Sequence, residues 1–160
     1  MDTKTAIQSQ FLATFEMLKQ AVEACPDAMW ADPEPKNKFW HIAFHSLFYA
    51  HFYLHPTQSD FVAWEKHRDE VVSLDPSDDP NTVEPYSQAE VLEYLAFCRE
   101  QVKVKVAESD LEAESGFHWL PFNTLEKHLY NIRHVQLHTG ELCERLGQAG
   151  IDVGWVGKMP

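Results

Sequence analysis

Histidine is the residue type with the clearest capacity for chemistry in this chain: nine occur in 160 residues, and three pairs fall at i, i+4, namely His41/His45, His51/His55 and His134/His138. On a helix that spacing sets two imidazoles on one face, one turn apart, where both can turn toward a single ion. A helical HxxxH is therefore a ready pair of metal ligands. The same spacing arises by chance in a histidine-rich chain, so the surroundings of each pair must separate them.

At about 100° per residue, the apolar arc of the helix that carries the last pair centres on Leu125, Ile132 and Cys143. His138 falls at the margin of that arc, about 40° beyond Leu142, and His134, Glu141 and Tyr130 lie further round. Ligands there are part buried and part open, which suits a metal that keeps a coordination position for substrate. A solvated polar face that includes Arg145 is the plainer alternative. His45 lies among Phe48, Tyr49 and Phe52, where a ring nitrogen without a partner costs about 1–3 kcal/mol. A metal ion with an outer hydrogen-bond acceptor meets that need, and so does a backbone carbonyl beside a core histidine. His51 and His55, near a helix end, read as capping or surface residues, and His67, His118 and His128 as surface residues.

Four amphipathic segments must position these groups. The first runs from Thr3 to Ala24, with Ile7, Phe11, Phe15, Leu18 and Val22 on one face. After a loop with Pro33 and Pro35, the second runs from Lys38 to His55 and is apolar all round, which predicts the most buried helix. The stretch from Pro56 to Tyr86 holds Pro56, Pro76, Pro80 and Pro85 among many acids and reads as a long surface connection with a short helix around Asp60 to Val72. A third helix starts at Ser87, where Ser87 and Glu90 match a capping box, and presents Val91, Leu95, Cys98, Val102 and Val106. The fourth starts at Asn123 or Thr124, with Glu126 placed for another box, and runs through Leu129, Val135 and Leu146 to Gly147 and Gly150. This predicts a single all-α domain over residues 1–160, a four-helix bundle with a long crossover between its second and third helices. In such bundles metal sites are built from side chains on facing helices.

The net charge of −12 divides unevenly, −2 over residues 1–55, −10 over 56–120 and 0 over 121–160. An acidic middle repels phosphate backbones and anionic headgroups, so neither nucleic acid nor a membrane surface is an expected partner. The most apolar stretch, Phe39 to Leu54, is too short and too often broken by histidine to span a bilayer. Met1-Asp2-Thr3-Lys4 does not lead a basic segment into an apolar one, so a cytoplasmic location is expected. Cys25, Cys98 and Cys143 are far apart, and in a reducing compartment they read as free buried thiols. There is no nucleophilic triad, no glycine-rich phosphate loop and no pair of Glu-x-x-His motifs of the di-iron kind.

The aromatic second helix with Trp40-x-x-x-x-His45, the last helix reading Ile132-Arg133-His134-Val135-Gln136-Leu137-His138-Thr139-Gly140-Glu141-Leu142, and the later Gly150-x-x-x-x-Trp155 together resemble the DinB-like superfamily of bacterial four-helix bundles. The likeness covers nearly the whole chain. It implies a divalent metal held by three histidines, one from the second helix and two from the last, which fall on His45, His134 and His138. His41 is the competing first ligand. Where the family often has Gln, this chain has Glu141, whose carboxylate would approach the metal or bond a water there.

Three neutral imidazoles leave a cation its full double charge, so water at an open position can reach a pKa of about 7. The superfamily also includes enzymes that transfer low-molecular-weight thiols, which implies a thiolate as an alternative occupant. Zinc and nickel both suit imidazole. The expectation is thus a metal-dependent hydrolase or thiol transferase acting on a small molecule, with Glu141 as a base and Tyr130 as a donor to substrate. The alternative is a non-catalytic bundle, a homodimer or partner-binding protein with a structural metal or none.

Overall fold

The computed structural model describes residues 2–75 and 83–160, and every regular element in them is helical. Helix α1 spans Thr3–Ala24, the range predicted. The Asp2 side chain accepts the Thr5 N–H at 2.9 Å and so satisfies one of the open donors of the first turn. Its five predicted core residues are all buried. A four-residue helix follows that the sequence reading does not anticipate, α2 at Asp27–Trp30. Trp30 anchors it by donating its indole N–H to the Tyr86 carbonyl at 2.7 Å.

Helix α3 occupies Phe39–Tyr53, and all of its residues except Tyr49 are buried. This is the expected outcome for a helix without a polar face. Helix α4, Gln88–Glu108, opens with both halves of the Ser87–Glu90 capping box in place and buries Tyr94 besides the five residues predicted. Helix α5, Thr124–Gln148, is capped by the Asn123 side chain, which accepts the Glu126 N–H at 2.9 Å. Beyond its end Gly150 takes φ +77°, the left-handed turn that stops a helix without a Cβ penalty.

The connection from α3 to α4 departs from expectation. In place of a helix over Asp60 to Val72 there are two single 3₁₀ turns, Gln58–Asp60 and Asp69–Val71, with irregular chain between them. Distant anchors hold that chain: Trp64 stacks on Tyr94 at 4.5 Å, the Arg68 guanidinium lies 3.8 Å over the Tyr86 ring, and the Tyr86 hydroxyl donates to the Lys66 carbonyl. Pro76 and Pro80 lie outside the described residues.

Helices α1 and α3 each pack against both α4 and α5. The face that α5 turns inward carries Thr124, Lys127, His128, Asn131, Val135, His138, Thr139, Leu142 and Leu146. That corrects the predicted arc: Leu125, Ile132 and Cys143 are only partly buried, and Leu129 is 55% exposed. The buried stripe follows the 3-4 spacing of 128, 131, 135, 138 and 142, and two of the polar residues on this face, Lys127 and Asn131, donate to backbone carbonyls outside α5. Leu125, Leu129, Ile132 and Leu137 line instead an open groove between α1 and α5.

The loop from α4 to α5 folds over the C-terminal end of α3. Gly116, at φ +78°, sits so close there that a Cβ would lie 1.8 Å from the Pro56 carbonyl oxygen. Among the described residues no helix is long and apolar enough to cross a membrane.

Candidate metal centre

Because α3 packs on α5, His45 comes to face the His134/His138 pair. The three ring centroids stand 5.3 Å (His45 to His134), 4.8 Å (His45 to His138) and 4.6 Å (His134 to His138) apart. One nitrogen from each ring can be chosen so that all three lie within 4.8 Å of one another. Among the described residues this is the group of histidines, cysteines and carboxylates so arranged.

The outward nitrogens are held. His45 Nδ1–H donates to the Val72 carbonyl at 2.7 Å, and His138 Nδ1–H donates to Glu141 Oε2 at 2.8 Å. These acceptors fix the tautomers and leave Nε2 of each ring unprotonated, the arrangement of outer partners found around metal-ligating imidazoles. His134 Nε2 stands 3.1 Å from His138 Nε2. Two nitrogens bound tetrahedrally to one zinc are about 3.3 Å apart, so the spacing suits a cation between them. His134 Nδ1 is buried and has no hydrogen-bond partner, a cost that ligation through that nitrogen would remove.

Burial, aided by the neighbouring His138, His134 and His41 and opposed by the Val72 carbonyl, pushes the His45 pKa down to about 3. Burial and His138 push that of His134 down to about 4. Both rings are therefore neutral at physiological pH, the state in which imidazole binds metal.

His41, the competing ligand, turns elsewhere: its Nε2 meets the Val71 carbonyl at 2.9 Å and its ring stacks on Trp40. Glu141 stands behind His138 and does not belong to the ligand cluster. Tyr130 packs on Tyr53 and Phe122, while the phenol ring on the imidazoles is Tyr49, 4.8 Å from His45 and 5.6 Å from His134. Tyr49 follows His45 by four residues and was open to the same spacing argument. The carbonyls of Val71 and Val72 carry no side-chain signal at all.

Among the other histidines, His51, His67 and His128 depart from the surface positions expected, while His55 has the expected capping role. His51 and His55 are buried, at 1% and 4% exposure. His51 Nδ1 meets the Tyr94 hydroxyl at 3.1 Å, and His55 Nδ1–H caps the end of α3 by donating to the His51 carbonyl at 3.0 Å. His128 is also buried, bonded to Ser109 Oγ at 3.3 Å. His67 is part-buried against Phe48 and bonded to Asp69, and His118 is exposed as expected. Cys25 and Cys98 are buried free thiols, whereas Cys143 is only half-buried. Burial raises the pKa of all three, which disfavours the thiolate a nucleophile would need. No family model, curated protein or solved structure matches this chain.

Proposed function

We propose that the chain is a metal-dependent enzyme of the DinB-like kind, with His45, His134 and His138 holding one divalent zinc or nickel ion. The observation that carries this reading is the convergence of three imidazoles from two helices, each offering a nitrogen within 4.8 Å of the others and two of them tethered at Nδ1. Helices α1 and α3 each lying against α4 and α5 support a four-helix bundle, with the acidic connection between α3 and α4 as its crossover. A cytoplasmic location fits three thiols left unpaired.

A divalent cation held by neutral ligands supplies Lewis acidity, which brings the pKa of water at an open position down to about 7 and stabilises a thiolate. The protein's own part is orientation. Val72 and Glu141 hold the tautomers, and the Tyr49 ring packs against His45 and His134. Glu141 is engaged by His138, which supports an open fourth position and, with it, hydrolysis or thiol transfer on a small molecule over a closed structural site. Its bond to His138 also gives it a role in setting ligand basicity. As a direct base toward substrate it would have to leave that bond.

Elemental analysis of protein purified without a metal-affinity tag tests this. About one zinc or nickel per chain is expected in the wild type, and almost none in the His134→Ala/His138→Ala double variant. Equal traces in both would remove the metal centre and the function built on it.

A further inference from the structure

A second cluster lies about two helical turns along α5 from His134, roughly 10 Å by helical rise. There the ends of α3 and α4 and the loop before α5 enclose a cavity of about 210 Å³ lined by His55, Ser109, Thr124, Lys127 and His128. At about 30 Å³ per water this is room for about seven waters, or one small organic molecule. Lys127 is 2% exposed. Its Nζ donates to the His55 carbonyl at 2.9 Å and the Ser115 carbonyl at 2.7 Å.

Two carbonyl acceptors take up both hydrogens of a neutral amine and leave its lone pair over. An ammonium would carry a third donor and a full charge; the Phe117 ring, its centroid 5.0 Å from Nζ, offers that charge only a ring face, and among the described residues no carboxylate forms an ion pair with Lys127. Burial alone pushes its pKa down to about 8. About a tenth of such a group is free amine at pH 7, on the order of a hundredfold more than for an exposed lysine. The carboxylates that border the cavity belong to the exposed Glu108, Asp110 and Glu114. They outnumber the other lysine there, Lys105, and disfavour an anionic guest.

We propose that Lys127 is an imine-forming lysine, whose amine condenses with a small neutral aldehyde or ketone admitted to this cavity. The nitrogen lone pair attacks the carbonyl carbon to give a carbinolamine. The carbonyl oxygen then departs as water, carrying both hydrogens of the amine, and a C=N bond remains. No oxidant or reductant enters the step.

The experiment treats the intact protein with propanal and sodium cyanoborohydride at pH 7 and follows each lysine by peptide mass spectrometry. Lys127 is expected to be alkylated about tenfold faster than the exposed Lys19 and Lys103, with a rate that saturates as propanal rises and that a metal chelator leaves unchanged. Labelling of Lys127 no faster than of those two, or without saturation, would overturn the proposal and leave Lys127 as a clasp between the loop and α3. Labelling abolished by the chelator would overturn it as well, because the cavity would then belong to the metal centre. Loss of the metal reading alone would leave the expected labelling intact.

Discussion

Two pairs of histidines with identical spacing end in different environments. His134 and His138 stand on α5 with a third imidazole, His45, brought in from α3. His51 on α3 and His55 just beyond its end sit among Phe61, Phe97 and Tyr94, and their nitrogens go to the Tyr94 hydroxyl and to the helix's own carbonyl. Both pairs are largely removed from water. The difference lies in what meets the second nitrogen of each ring and in whether another helix supplies a third. An HxxxH marks a shared helix face, whereas a ligand set also needs convergence across helices and acceptors behind the rings.

The largest expected effect is one that both regions share. His45 and His51 are pushed down to about 3, and His128 and His134 to about 4, in each case first by burial. From an ordinary value of 6.5, a lowered pKa means that below that pH the unfolded chain binds protons the folded chain refuses. Stability is therefore full above about pH 7 and falls as pH drops through 6.5 toward 4, by about 1.4 kcal/mol per pH unit for each imidazole kept neutral. Urea midpoints measured from pH 8 to pH 5 check this. Added zinc should raise the midpoint at pH 7 and steepen the acid loss, since protons compete for the three ligands. A midpoint that stays level down to pH 5 would show that these rings accept protons while folded.

Next in size is a contrast within α3. His45→Ala should lower zinc affinity by more than the 10–100-fold typical of losing an outer partner. His41→Ala should leave affinity within a few fold and act on stability, because its ring is spent on the Val71 carbonyl and on Trp40. Competition with a chromogenic chelator separates the two, and the reverse ranking would move the first ligand to His41. Smaller again is His51→Leu, which keeps the volume but leaves the buried Tyr94 hydroxyl without this partner. A loss of about 1–3 kcal/mol is expected, with metal content unchanged. Metal lost in that variant would erase the distinction between the two histidine pairs.

Much of this was legible before any coordinates. The span of α1, the Ser87 capping box, the all-round burial of α3 and the five core residues of α4 follow from local periodicity and end signals. Three features were not. The segment around Trp64 is held by the Tyr94 ring and the Tyr86 hydroxyl, 20 to 30 residues away in the chain, which no local pattern encodes. The buried face of α5 runs through Lys127, His128, Asn131 and His138, and hydropathy places such residues outside. Carbonyls of Ala50, His55 and Ser115 receive the hydrogens of Asn131 and Lys127, Ser109 Oγ meets His128, and Glu141 accepts from His138. The third feature, the carbonyls of Val71 and Val72 behind His41 and His45, is pure backbone and has no residue signature.

The finest distinction concerns Glu141, the acceptor behind His138. A charged acceptor does two things there: it selects the Nδ1–H tautomer, and it raises the electron density on the opposite nitrogen. Glu141→Gln keeps a carbonyl oxygen for the first task and loses the charge that serves the second. Glu141→Leu loses both. Zinc affinity should therefore fall by about 10–100-fold in the Leu variant and by no more than about tenfold in the Gln variant. Equal losses in the two would assign the effect to charge alone. No loss in either would mean that packing against the His45 and His134 rings already holds the His138 ring, and that the acceptor behind it adds nothing.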